Sequence, residues 1–232
     1  MKRILFLLSL IQATLLASAY DIKVDGIYYN ITSDNTVAVT YKSLETFGSF
    51  SIGNGFSSGN EEYKGNMVVP ASIDYKGKKY AVTSIGEYAF FHCPLLMSVT
   101  LPSSIVTIED GAFNSCPALK SIEIPEGVKE VGAAFNLCVN LKSIVLPSTV
   151  TKVHLFIIDS SNNVEEIVCK APTPPIFFWG DQYESAAINI QEKNLFGKCA
   201  LIVPKRSIKS YQRADVWKEF SSISPYFLDG RG

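Results

Sequence analysis

Three cysteines set the frame for this chain. Cys93, Cys116 and Cys138 stand 23 and 22 residues apart. The pairs Ala89-Phe90, Ala112-Phe113 and Ala134-Phe135 keep the same intervals, and so do Pro102, Pro125 and Pro147. The copies read VTSIGEYAFFHCPLLMSVTLP, IVTIEDGAFNSCPALKSIEIP and VKEVGAAFNLCVNLKSIVLP. A sequence repeating at this period builds one small supersecondary unit per copy. No such unit can bury its apolar face without a neighbour stacked on each side.

Each copy carries a strand pattern, LxxIxL. Leu119, Ile122 and Ile124 face inward, while Lys120, Ser121 and Glu123 turn outward. Pro125 then stops the ladder, because proline has no N–H to donate. A second inward row comes from Val82, Ile105 and Val128, and from Ile85, Ile108 and Val131. The Ala-Phe pair fills the far side. Ile85 to Phe90 and Ile108 to Phe113 are both five steps, but Val131 to Phe135 is four. The lost residue belongs to an outer turn, since losing it from a strand would flip every later side chain. A degenerate fourth copy follows: VEEIVC (164–169) aligns with LKSIVL (141–146). Ser161 takes the Cys slot there, and Cys169 takes the slot of Leu146.

The pattern IxxxAFxxCxxLxSIxLPxxV resembles the BspA-like leucine-rich repeats of bacterial surface proteins. VCKAPTPP (168–175) with ALIVPKRSIKSYQRADVWKEFSSI (200–223) is similar to the closing segment of such proteins from host-associated anaerobes. The opening YDIKVDGIYYNI resembles their mature start, whereas the stretch from Ser43 to Gly65 looks longer than usual for them. The resemblance implies an exported bacterial protein acting in adhesion or interaction with host or neighbouring cells.

The expected fold is therefore a β-rich (α+β) leucine-rich-repeat solenoid of three to four repeats of about 23 residues. Residues 1–19 read as a signal peptide, 20–81 as an N-terminal β cap, 82–170 as the repeats and 171–232 as a capping segment. Lys2 and Arg3, an apolar run from Ile4 to Leu16 and the small residues Ala17-Ser18-Ala19 are the layout of a secretory leader, with cleavage expected after Ala19. The run is too short to span a bilayer comfortably, and the first Cys is Cys93, which argues against a lipoprotein anchor. No stretch of the mature chain has the length and apolarity of a membrane span. Export places the protein in the periplasm, on the cell surface or outside the cell. In the first cap, Asp25-Gly26 and Lys76-Gly77 signal hairpins. The stretch 46–65 is a Gly/Ser-rich loop. In the last, Ser207 is placed to cap a helix running to about Phe220, with Ile208, Tyr211, Ala214 and Trp217 on one side. Its basic residues Lys205, Arg206, Lys209, Arg213 and Lys218 read as a solvated face, with a membrane-seeking face as the alternative.

The chemistry is sparse. GFSSG (55–59) matches the G-x-S-x-G nucleophile elbow at Ser57, but that elbow needs a strand before it and a helix after it. Only His92 and His154 exist to serve as a base. The sequence has no zinc-protease or Cys-x-x-Cys motif and no EF-hand loop, so no cofactor or metal is expected. A formal net charge of −1 gives no pull toward nucleic acid. Five cysteines are an odd number, so one at least stays unpaired within the chain. Cys93, Cys116 and Cys138 read as core residues, because side chains in a ladder point the same way. Cys169 and Cys199 stand apart and are a possible disulfide.

What is left is the outward strand face: Met97, Ser98, Thr100, Lys120, Ser121, Glu123, Lys142, Ser143, Val145, Glu165 and Glu166. Its mixed, modest side chains suit a protein or glycan partner better than a small substrate, such as a host matrix or cell-surface component. An envelope scaffold without a dedicated ligand is the alternative, and a hydrolase built on Ser57 the enzyme alternative.

Overall fold

The computed structural model describes residues 20–42, 62–179 and 196–226. The expected leader, Ser57 and most of the Gly/Ser-rich stretch lie outside the described residues.

The chain opens as a hairpin. β1 (Ile22–Val24) and β2 (Ile27–Ser33) pair antiparallel around Asp25 and Gly26, whose φ angles of 49° and 82° are those a two-residue primed turn requires. β3 (Thr36–Thr40) returns antiparallel to β2. β4 (Gly65–Val68) leaves this sheet for another. β5 (Ser72–Tyr75) and β6 (Lys78–Ile85) form a second hairpin across Lys76-Gly77, and β6 lies parallel to β3.

From β6 onward the chain winds as a solenoid with two parallel ladders. One ladder continues through β8 (Thr107–Ile108), β10 (Glu130–Val131), β12 (Lys152–His154) and β14 (Ile176–Phe178). Ile85, Ile108, Val131 and Val153 stand in register along it. The second inward row read from the sequence is thus itself a β ladder. On the other side β4 pairs with β7 (Leu96–Thr100), and β7 packs beside a five-stranded ladder, the long ladder in strand length, that runs through β9 (Ser121–Glu123), β11 (Ser143–Leu146), β13 (Glu166–Cys169), β15 (Ala200–Pro204) and β16 (Ser222–Tyr226). Leu146 and Cys169 are partners in it, which fixes the register of the degenerate fourth copy.

A column of stacked rings fills the space between the ladders and the outer turns. The ring centroids of Phe90 and Phe113 lie 5.0 Å apart and those of Phe113 and Phe135 5.4 Å apart, each pair stacked nearly parallel. All three rings are wholly buried. Rings at such separations add about 0.5–1.5 kcal/mol per pair beyond the area they bury. Tyr63 closes the column at 4.8 Å from Phe90. Its hydroxyl donates to the Thr40 carbonyl (2.8 Å) and accepts from the Tyr28 amide (3.0 Å). That satisfies the polar end a Tyr brings into a core.

The end of the chain departs from expectation. A 3₁₀ turn (Lys205–Ser207) leads into α1 (Ile208–Tyr211), a single turn of α-helix, and a second 3₁₀ turn follows at Trp217–Glu219. Val216, at a φ of 66°, breaks what the sequence reads as one helix from Ser207 to Phe220. Ser207 does not cap it; its hydroxyl donates to the Pro172 carbonyl at 2.6 Å. The chain then runs into β16, parallel to β15. Tyr211, Trp217, Phe220, Phe196 and Phe177 close into an aromatic cluster beneath it.

Candidate functional site

The outward columns sit on the second ladder because β9, β11 and β13 pair without a register shift. Ser121, Ser143 and Glu166 form one row, and Glu123, Val145 and Val168 the next. The Lys142 amide reaches the Lys120 carbonyl and the Glu165 amide that of Lys142, so these three residues form a third row. Met97, Thr100, Lys120, Ser121, Glu123, Lys142 and Glu165 are exposed, and Ser98, Ser143, Val145 and Glu166 half-buried.

The charges on this face are not equivalent. Lys142 Nζ meets Glu165 Oε1 at 2.6 Å, and Lys170 Nζ meets Glu123 Oε1 at 2.9 Å. The hydrogen bond to Glu123 raises the Lys170 pKa above its ordinary value. Lys120 forms no ion pair among the described residues. It lines an open groove across the start of the strands, with Lys64, Gly65, Leu95, Met97, Ala118 and Asn140. Sequence reasoning missed Lys64, Leu95 and Lys170. Leu95 was legible as a leucine in a column where later copies hold Ala118 and Asn140.

The cysteine column is more than apolar filling. Cys116 Sγ donates to the Phe90 carbonyl at 3.0 Å, and Cys138 Sγ to the Phe113 carbonyl at 3.1 Å. In the fourth copy Ser161 Oγ donates to the Phe135 carbonyl at 2.5 Å. These three slots each supply a donor to the buried carbonyl of the preceding copy's phenylalanine, a group that would otherwise be orphaned, whereas Cys93, in the first copy, lies on the Phe91 carbonyl at 3.7 Å. Burial pushes the Cys116 thiol well above its ordinary pKa and the Cys138 thiol up to about 12. Such thiols are poor nucleophiles.

Cys169 and Cys199 are both free and buried. The register pairs Glu166 with Ala200 and Val168 with Ile202, which offsets the two cysteines by four residues along the ladder. At about 3.3 Å per residue that is roughly 13 Å, beyond the reach of a disulfide. Cys169 Sγ instead shares a hydrogen bond with the Tyr211 hydroxyl at 3.2 Å. Burial raises Cys169 to about 11 and Cys199 to about 12.

His154 serves local structure. His154 is 1% exposed, and its Nδ1 accepts the Phe156 amide at 3.1 Å. Burial lowers its pKa and that of His92. Among the described residues no group of three or more His, Cys, Asp or Glu could hold a metal ion. No described helix is long and apolar enough to cross a membrane.

Two parallel ladders, a Phe stack and a donor slot recurring every 22 or 23 residues define a repeat type, and residues 74–174 match, in six copies, the family described as BspA type leucine-rich repeat region. This chain carries BspA-type leucine-rich repeats. A leucine-rich repeat protein from Bacteroides capillosus is 27% identical, with a TM-score of 0.51; the match covers 65% of this chain and 98% of that one. A Treponema pallidum leucine-rich repeat protein is 18% identical, with a TM-score of 0.53 over 88% of this chain and 83% of that one. The second likeness shows the fold. No curated protein matches the chain.

Proposed function

We propose that this chain is an exported repeat protein that binds a protein or glycan partner on its strand face and acts in adhesion to host or neighbouring cells. One observation carries the reading. The inward columns of each repeat are consumed by the core, while the outward columns form a continuous, unevenly charged face with no packing duty. A solenoid offers such a face as an extended binding surface. The layout of residues 1–19 supports export, and the segments flanking the repeats act as caps over the open solenoid ends. Export is tested by the N-terminus of the protein recovered outside the cytoplasm, which is expected to be Tyr20; a retained Met1 would refute it.

Binding is tested by pull-down with the mature chain against host matrix proteins and cell-surface glycans. Reversing Lys120 and Lys142 together is expected to weaken capture of any partner found. The two reversals differ in kind: Lys120→Glu changes a cation with no ion pair among the described residues, whereas Lys142→Glu also sets a carboxylate against Glu165. If capture survives both, binding does not run through the strand face.

A further inference from the structure

The outward columns carry no packing duty, so the fold gives a repeat no reason to depart from its own pattern there. The first copy departs twice. It places Leu95 where the next two copies have Ala118 and Asn140, and Met97 where they have Lys120 and Lys142. Both side chains stay in water, Leu95 at 51% exposure and Met97 at 56%. They form the apolar floor of the groove, together with Ala118. The cations at its two sides, Lys64 and Lys120, meet no carboxylate among the described residues, in contrast to Lys142 and Lys170.

We infer that this groove seats an extended acidic segment of a partner protein, with an apolar side chain on Leu95 and Met97 and carboxylates on Lys64 and Lys120. The inference rests on the strand-face reading above and narrows its partner to protein. Among the described residues the groove lining holds no aromatic ring for a sugar to stack on. Lys64 precedes β4 and Lys120 precedes β9, with β7 between them. Two strand spacings set them about 10 Å apart. Side chains on one face of an extended chain recur every second residue at about 3.3 Å per residue, so carboxylates four residues apart, about 13 Å, reach the two flexible ammonium groups from one face, with an apolar residue midway between them over the floor. Complementary charge of this kind sets the partner's register and speeds its association.

The test uses the mature chain and a fluorescein-labelled Glu-Leu peptide of repeating Glu-Ser-Leu-Ser, which puts Glu and Leu on one face, with a Lys-Leu peptide of repeating Lys-Ser-Leu-Ser as its counterpart. The Glu-Leu peptide is expected to bind and to weaken as salt is raised, and the Lys-Leu peptide to fail. Lys64→Glu with Lys120→Glu is expected to lower affinity at least about tenfold. Leu95→Asn with Met97→Gln removes the apolar floor from two exposed positions without adding a cation that would itself attract carboxylates, and it too is expected to abolish most binding. Equal binding of both peptides, or unchanged affinity in the Leu95→Asn, Met97→Gln protein, overturns the inference. A pull-down partner lost on Glu123→Lys but kept by both groove variants would remove the groove and leave the strand-face reading standing. A partner indifferent to all three variants would remove both.

Discussion

At the scale of single residues, the donor slot explains why cysteine recurs where neither a disulfide nor a metal uses it. Cys138→Ser is expected to unfold within about 1 kcal/mol of the parent, because Ser161 already holds the equivalent slot as a hydroxyl. Cys138→Ala should cost about 1–3 kcal/mol, since it strands the Phe113 carbonyl in the core. Urea unfolding of the two variants checks this, and equal losses would reduce the slot to a matter of volume. His154 gives a pH signature. Its folded pKa lies below the ordinary 6.5 because it is buried. The unfolded chain therefore takes up a proton that the native chain resists. The stability this confers is complete above about pH 6.5 and lost as pH falls below it. His154→Asn keeps an acceptor near the Phe156 amide and has no proton to gain. Its stability is expected to be flatter between about pH 6.5 and 5, with His92, which burial also lowers, and Glu109, which burial raises, contributing to the residual slope. An unaltered slope would acquit His154.

At the scale of elements, the outer turns share a backbone device. The residue before each slot (His92, Ser115, Leu137 and Ser160) has a φ between 52° and 60°, in the left-handed region that costs an L-residue about 1–2 kcal/mol. Leu137 bears that cost with a bulky side chain 47% exposed. Leu137→Gly is expected to match or exceed the parent by up to about 1 kcal/mol, the relief of strain outweighing the entropy glycine adds to the unfolded chain. A melting temperature several degrees lower would contradict this. The register of the long ladder was legible in the sequence because Leu, Ile and Pro alternate over full strands. The column Ile85, Ile108 and Val131 was legible too, but not as a β ladder, because two residues such as Thr107 and Ile108 cannot display a period. The final helix was misread for a geometric reason. Ile208, Tyr211, Ala214 and Trp217 recur every third residue, and a helix turning about 100° per residue swings each of them a further 60° off the face. In one straight helix Tyr211 and Trp217 would diverge by about 120°. The break at Val216 brings their rings within 5.3 Å. It also lets Tyr211 donate to the Ala171 carbonyl and Trp217 to that of Pro175, acceptors in a proline-rich stretch poor in N–H donors of its own. The outward strand residues were legible by alternation. The groove was legible only in half, because Lys64 reaches it from β4, outside the repeat.

At the scale of the molecule, a solenoid is as sound as its ends. The long ladder would finish at β15 with a row of unpaired amides and carbonyls and with the apolar Ile202 on its outer row, which is a template for another chain. β16 covers that edge from Ser222 to Tyr226. Its own outer edge carries Pro225, which has no N–H to offer a further strand. Ending the chain after Ser221 therefore removes the strand that terminates the ladder and leaves the aromatic cluster beneath largely in place. The shortened chain is expected to self-associate as its concentration rises, which light scattering reads directly, and to melt several degrees lower. Ile202→Lys, introduced into the shortened chain, puts a charge on the bared edge and is expected to restore the monomer without restoring the melting temperature, because it blocks pairing but replaces none of the lost hydrogen bonds. If the shortened chain stays monomeric at every concentration, the ladder does not need β16 to close it, and the seal must lie in the aromatic cluster. Trp217→Ala in the full chain would then produce the association instead.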